Sequence, residues 1–191
     1  MITKPFNIVI TGTGGQGLIT LLQILAEAAL AEGYDVKTSE LHGLSQRGGS
    51  VETHIRFAKE VGSPLVAQGK ADLVLGLEIQ EALRGVYFAN PKTSFLINKL
   101  IIPIAQQKSL EEKYIIQNLK KISKDVRLVD ANEITKEKLG TSVVAGIYLI
   151  CFAAFHGLIP LKPASILKGI KKIVPKRHLE LNLKTFELAR E

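Results

Sequence analysis

Apolar positions recur along this chain with two periods, one of two residues and one of three to four, and the change between them lays out the architecture. A strand-like run at Phe6, Ile8, Val9 and Ile10 feeds a turn with glycine at 12, 14, 15 and 17. A strongly apolar helical pattern follows from Leu18 to Ala31, closed by Gly33. Tyr34 to Glu40 reads as a second strand, the stretch 41–50 (LHGLSQRGGS) as a polar glycine-rich loop, and Val51 to Phe57 as an alternating, half-buried strand. About ten residues join these two strands and show no helical period, whereas a parallel crossover takes about a dozen or more. The third strand is therefore expected to be antiparallel, giving a mixed sheet.

Leu73 to Leu77 predicts a short buried strand with Glu78 at its carboxyl end, followed by a helix over Ile79 to Phe88 that stops near Asn90-Pro91. Ser94 to Asn98 predicts the next strand, running towards the apolar Leu100 to Ile104. Ser109 and Glu112 have the spacing of a capping box opening a helix to about Ile122. Val126 to Val129 predicts a further strand, and Asn132 a cap for a short helix ending before Gly140. Thr141 to His156 is apolar on all sides, so other helices of this chain or a partner subunit must enclose it. Two more helices are expected, from about Pro163 and about Pro175. The expected fold is α/β, a three-layer α/β/α domain over 1–191 with a mostly parallel, mixed sheet. Its core spans 1–140, and 141–191 form a helical C-terminal extension.

Composition narrows the chemistry. The single cysteine, Cys151, lies in an apolar run, so an internal disulfide is excluded and one thiol cannot hold an iron–sulfur cluster. The longest apolar run, Val143 to Phe155, is 13 residues and includes Gly146, short of the roughly 20 that span a bilayer. Met1 to Pro5 lead directly into a strand with no cleavage pattern, and a cytoplasmic location without membrane attachment is expected. Net charge is +7, and from Pro160 to Glu191 eight Lys or Arg stand against three Glu. Phe186 is the one aromatic after Phe155, so the interleaved aromatics of a single-strand nucleic-acid binder are missing. The basic excess fits a solvated helix face, or a dock for an acidic partner or a polyanionic cofactor.

Strand, glycine turn and helix together make a cradle for an anion, because glycines let backbone N–H groups approach and the helix N-terminus adds partial positive charge. Gly12, Gly14 and Gly17 satisfy G-x-G-x-x-G, with Gly15 and Gln16 between them. Gln16 is placed to bond a phosphate or a partner's backbone. A nicotinamide reading needs an acid about 20 residues beyond the turn, and Glu40 meets that spacing. The following loop, Ser45-Gln46-Arg47-Gly48-Gly49-Ser50, instead suits an anion, since the Arg47 guanidinium is a planar fork of donors. Whether Arg47 grips a carrier phosphate, a substrate carboxylate or a partner's acid is left open by the sequence. His42 stands beside that loop, and Glu78 and Asn98 end strands where α/β sheets place ligand contacts. His54, His156 and His178 read as structural or solvated, no histidine pair has metal-ligand spacing, and no nucleophile lies beside an evident base.

Four stretches carry a family resemblance: GTGGQG (12–17), SELHGLSQRGGSVETHIRF (39–57), ADLVLGLEIQEALR (71–84) and FLINKLIIPI (95–104). Together they resemble the gamma subunit or domain of 2-oxoacid:ferredoxin oxidoreductases over nearly the whole chain. Within that superfamily the SPLVAQGKADLVLGLE run and the closing ELNLKTFELA are most similar to the small (beta) subunit of indolepyruvate:ferredoxin oxidoreductase. The resemblance implies a non-self-sufficient subunit supporting oxidative decarboxylation of a 2-oxoacid, indolepyruvate or another arylpyruvate, to an acyl-CoA, with electrons passing to ferredoxin. Thiamine diphosphate and iron–sulfur clusters would lie on companion subunits, and coenzyme A would be held at a shared site. The residues expected to contribute there are Gly12, Gly14, Gly15, Gln16, Gly17, Arg47, Gly48 and Gly49, with His42, Ser45, Glu78 and Asn98 facing the ligand. No residue of this chain is expected to be catalytic. The rival readings are a stand-alone nucleotide- or acyl-CoA-binding protein and a purely architectural subunit.

Overall fold

The computed structural model describes residues 2–42, 48–103 and 110–190. Among these, six strands form one sheet in the order β2-β3-β1-β4-β5-β6. The strands are β1 (Phe6–Thr13), β2 (Asp35–His42), β3 (Ser50–Ala58), β4 (Leu73–Gly76), β5 (Ser94–Asn98) and β6 (Val126–Val129). β1, β4, β5 and β6 run parallel, while β3 is antiparallel to both β1 and β2. The short loop after β2 thus has the consequence its length demands.

Alternation along the central strands divides the core into two faces. Ile8 and Ile10 of β1, Leu73 and Leu75 of β4 and Leu96 of β5 point to one side. Val9, Val74, Phe95 and Ile97 point to the other. The first face is covered by α1 (Leu18–Ala31), α5 (Ala145–Phe155), α6 (Pro163–Ile173) and α7 (Lys176–Leu188), with Ala131 of α4 (Ala131–Leu139) at its margin. The second is covered by α2 (Ile79–Ala82), a 3-10 turn over Arg84–Phe88 and α3 (Glu112–Ile122). Each large aliphatic side chain enclosed this way contributes about 1.5–3 kcal/mol. The result is the expected three layers on a mixed sheet, and the helices after residue 140 share the core of α1.

Close approach of backbones sets that helical layer. Gly169 of α6 lies over α1 with no room for a side chain, since a Cβ there would stand 2.5 Å from the Ile24 carbonyl oxygen. Gly146 likewise lets α5 meet Leu21 of α1. The apolar α5 is enclosed by helices of its own chain, and burial pushes the Cys151 thiol pKa up.

Three local expectations are corrected. The single helix over 79–88 is instead α2 followed by the 3-10 turn. Gly85 packs where a Cβ would overlap Val74 of β4, and the glycine and β-branched or aromatic residues after it are weak helix formers. Asn132 does not cap α4: Asp130 holds the N-cap position, and Asn132 sits in the first turn, where its Oδ1 accepts a bond from Asn98 Nδ2 at 2.7 Å. The capping box is displaced, because α3 begins at Glu112 with Glu111 at N-cap; Ser109 lies outside the described residues.

Candidate functional site

α1 leaves β1 for one face of the sheet, and α2 leaves the adjacent parallel β4 for the other. The crevice beyond their carboxyl ends is therefore a topological switch point, the place where open α/β sheets take ligands. The glycine turn stands over it. Gly15 (φ 104°) and Gly17 (φ 77°) adopt left-handed backbone, which turns the chain from β1 into α1 and favours glycine.

The Gln16 side chain lies across the crevice. Its Oε1 accepts from the Thr13 N–H at 2.7 Å, and its Nε2 donates to the Leu77 carbonyl at 3.2 Å. This bridge explains Gly12, where a Cβ would come 2.7 Å from Gln16 Oε1 and 3.2 Å from Leu77 Cβ. The first glycine of the motif makes room for the Gln16 carboxamide of the same chain. The second glycine segment pairs with the first: Gly14 N–H donates to the Gly49 carbonyl at 2.8 Å, and Gly48 N–H donates to the Gly14 carbonyl at 3.3 Å. Arg47 and Ser45 lie outside the described residues, as does the side chain of His42, whose backbone ends β2 opposite Val51. Glu40 is not beside β1, because β3 intervenes, so the acid of a nicotinamide site is missing from its place despite its spacing.

Two cavities adjoin the turn on the α5 side. One, of about 260 Å³, is lined by Gly15, Gln16, Gly17 and Thr20, by Val143, Val144 and Gly146, and by Pro175, His178 and Asn182. The amino ends of α1, α5 and α7 converge on it, and none of the three has a side-chain cap. Each helix end leaves backbone N–H groups without helical partners and carries about half a positive charge. No carboxylate is among the cavity's lining residues. The other, of about 230 Å³, runs from Gly15 and Gln16 to Asn98, Asn132 and Ala145. Asn98 is buried, donates to the Leu77 carbonyl at 3.2 Å and to Asn132 Oδ1, and its own Oδ1 has no partner among the described residues. A buried acceptor of this kind calls for a donor from water or ligand.

The pyruvate ferredoxin/flavodoxin oxidoreductase family matches residues 7–191. This chain belongs to that family. Indolepyruvate oxidoreductase subunit IorB of Archaeoglobus fulgidus is 36% identical over 95% of this chain and 92% of its own length. The same subunit of Thermococcus kodakarensis is 35% identical over 97% and 94%. The common gamma subunit of the Pyrococcus furiosus pyruvate/ketoisovalerate oxidoreductases is 31% identical over 84% and 82%. Among solved structures, the gamma subunit of a keto/oxoacid ferredoxin oxidoreductase from Geobacter sulfurreducens shares the fold at TM-score 0.69 and 23% identity, over 97% of this chain and 96% of that one. The 2-oxoglutarate:ferredoxin oxidoreductase of Magnetococcus marinus, solved with 2-oxoglutarate, coenzyme A and succinyl-CoA bound, shares it at TM-score 0.71 and 18% identity. There the match covers 98% of this chain and 31% of that one.

In this family member Glu78 serves the backbone. One carboxylate oxygen accepts from the Glu81 N–H at 2.7 Å, capping α2, and the other from the Ile102 N–H at 3.2 Å. Burial raises its pKa above the ordinary carboxylate value, opposed by those two bonds. His54 is buried, accepts from the Val66 N–H through Nδ1 and so turns Nε2 to Glu52, a structural arrangement as expected. The sequence did not mark Thr20, Asn132 or Asn182 as site residues, and His178 reads there as structural or solvated. No local motif marks these positions; only the folding of α4, α5 and α7 onto the α1 face brings them to the turn. In α7 the exposed His178 lines the cavity, with Lys176 and Arg177 preceding it in the first turn of the helix.

Proposed function

We propose that this chain is the gamma-type subunit of a 2-oxoacid:ferredoxin oxidoreductase with preference for indolepyruvate or another arylpyruvate, and that it contributes a coenzyme A contact to a shared active site. The observation that supports this best is the convergence of three uncapped helix amino ends on a cavity without acids, beside the glycine turn. Backbone N–H groups at such ends receive phosphate, and coenzyme A carries a pyrophosphate and a 3′-phosphate. The backbone around Gly15 and Gly17 and the first turns of α1, α5 and α7 would hold these groups, while Asn98 Oδ1 would accept a bond from a donor on the carrier.

Electron transfer and decarboxylation would belong to iron–sulfur clusters and thiamine diphosphate on companion subunits; the one thiol of this chain, Cys151, is buried among helices and cannot by itself hold a cluster. It works as wall and anchor, with the large subunit supplying the redox centres and ferredoxin receiving the electrons in the cytoplasm. No helix among the described residues is long and apolar enough to cross a membrane. The test is reconstitution. The purified chain has no 2-oxoacid turnover, and addition of the large subunit gives coenzyme A-dependent decarboxylation with ferredoxin reduction. Decarboxylase activity from this chain alone would defeat the proposal.

A further inference from the structure

A third cavity, of about 290 Å³, lies between the end of β1, the start of β3 and α2. Thr13, Ser50, Glu78, Glu81 and Arg84 line it, and the two oxygens of the Glu78 carboxylate are taken up by the Glu81 and Ile102 N–H groups. Glu81 is almost fully enclosed, with 8% of its side chain exposed. Its Oε2 accepts two bonds, one from the Ser50 hydroxyl of β3 and one from Arg84 Nε at 2.8 Å. Arg84 itself is open, with 58% of its side chain exposed. Its Nη1 and Nη2 groups make no hydrogen bond among the described residues. A guanidinium held through Nε has its direction fixed and its remaining donors turned outward as a planar fork. Removing a carboxylate from water is costly, and here the enclosed carboxylate immobilises an arginine at the mouth of a crevice.

We propose that Arg84 is an oxyanion fork that receives a carboxylate from outside this chain, brought by the 2-oxoacid substrate or by an acidic side chain of the partner subunit. Glu81 and Ser50 are its positioning residues. The inference rests on the reading of this chain as a subunit of a 2-oxoacid oxidoreductase. Two features favour a carboxylate over a phosphate. Glu81 offsets much of the guanidinium charge, which suits a monoanion better than a polyanion, and the planar fork matches two carboxylate oxygens. The uncapped helix ends that suit phosphates face the other cavities.

The test uses the assembled enzyme with Arg84→Gln, Arg84→Lys and Glu81→Gln, each checked for folding by circular dichroism. Loss of a charge-assisted bidentate contact is expected to cost about tenfold or more. If the 2-oxoacid supplies the carboxylate, Arg84→Gln raises KM for the 2-oxoacid about tenfold, and KM for coenzyme A does not move. If a partner residue supplies it, the subunit dissociation constant rises about tenfold while both KM values of the assembled fraction stay as in wild type. In either case Arg84→Lys recovers part of the loss, and Glu81→Gln shifts the same quantity in the same direction by less. An Arg84→Gln enzyme with unchanged 2-oxoacid KM and unchanged assembly overturns the inference, as does one in which only the coenzyme A KM moves. Both outcomes leave the proposed function standing. A wild-type complex without coenzyme A-dependent turnover would remove that function whatever Arg84 does.

Discussion

Gln16 offers the sharpest separation between a residue that holds the crevice and one that holds a ligand. Gln16→Ala removes the 2.7 Å bond to the Thr13 N–H and the 3.2 Å bond to the Leu77 carbonyl. A hydrogen bond of this kind contributes about 0.5–1.5 kcal/mol net, and a partly buried donor left unpaired adds to the loss. Leu77 keeps its bond from Asn98 Nδ2, so the unpaired group is the Thr13 N–H. The expected loss is about 2 kcal/mol, which for a domain of this size lowers Tm by about 4–8 °C. Thermal and urea denaturation followed by circular dichroism measure it. Gln16→Glu adds a second signature: its carboxylate accepts from Thr13 but cannot donate to Leu77, so this variant is least stable where the carboxylate is ionised and recovers part of the loss on acidification. An alanine variant with Tm within about 1 °C of wild type, and with coenzyme A affinity of the complex lost, would rule out a structural role for Gln16. The carboxamide would then be a ligand contact, and the crevice would have to open.

Other consequences are equally direct. Gly169→Ala places a Cβ 2.5 Å from the Ile24 carbonyl, a backbone atom that cannot step aside, so α6 must lift from α1 at a cost of about 1–3 kcal/mol in denaturant titrations. Gly15→Ala meets no atom within 4 Å but forces a side chain into left-handed backbone at φ 104°; it should raise the coenzyme A KM of the complex severalfold with little effect on assembly. Burial, the largest cause, raises the Glu78 pKa in the folded state, so the native form binds its proton more tightly than the unfolded one. Stability from this group therefore falls as pH rises from the ordinary glutamate value through the folded-state value. The slope should be absent from the Glu78→Gln profile, measured by urea denaturation across that range; an identical slope in both would contradict it.

Much of this architecture is legible in the chain because short-range constraints act alone there. The run at Leu18–Ala31 and the strands Ser94–Asn98 and Val126–Val129 fall where period and punctuation place them, and the brief loop before β3 forces its antiparallel course. The failures occur where a distant partner decides. The helix after Glu78 is cut short by the contact between Gly85 and Val74. Asn132 gives up capping for Asn98, 34 residues away in sequence. The sequence also leaves unseen that the Gln16 carboxamide bonds Thr13 and Leu77, the latter 61 residues away. The site shows the same division. Its glycine turn is readable, but the cavity depends on the amino ends of α5 and α7 reaching the α1 face, which no local pattern encodes. The exposed Val143 (86%) beside that cavity belongs to a segment whose apolarity had implied complete enclosure.

At issue is whether the turn at Gly15–Gly17 receives the phosphates of coenzyme A within the larger enzyme. The most direct measurement is the structure of the assembled complex with coenzyme A bound. Phosphate oxygens are expected within hydrogen-bonding distance of the backbone N–H groups at Gly15, Gly17 and the first turn of α1 or α5. Coenzyme A held wholly by the large subunit, with this cavity filled by partner side chains, would contradict it.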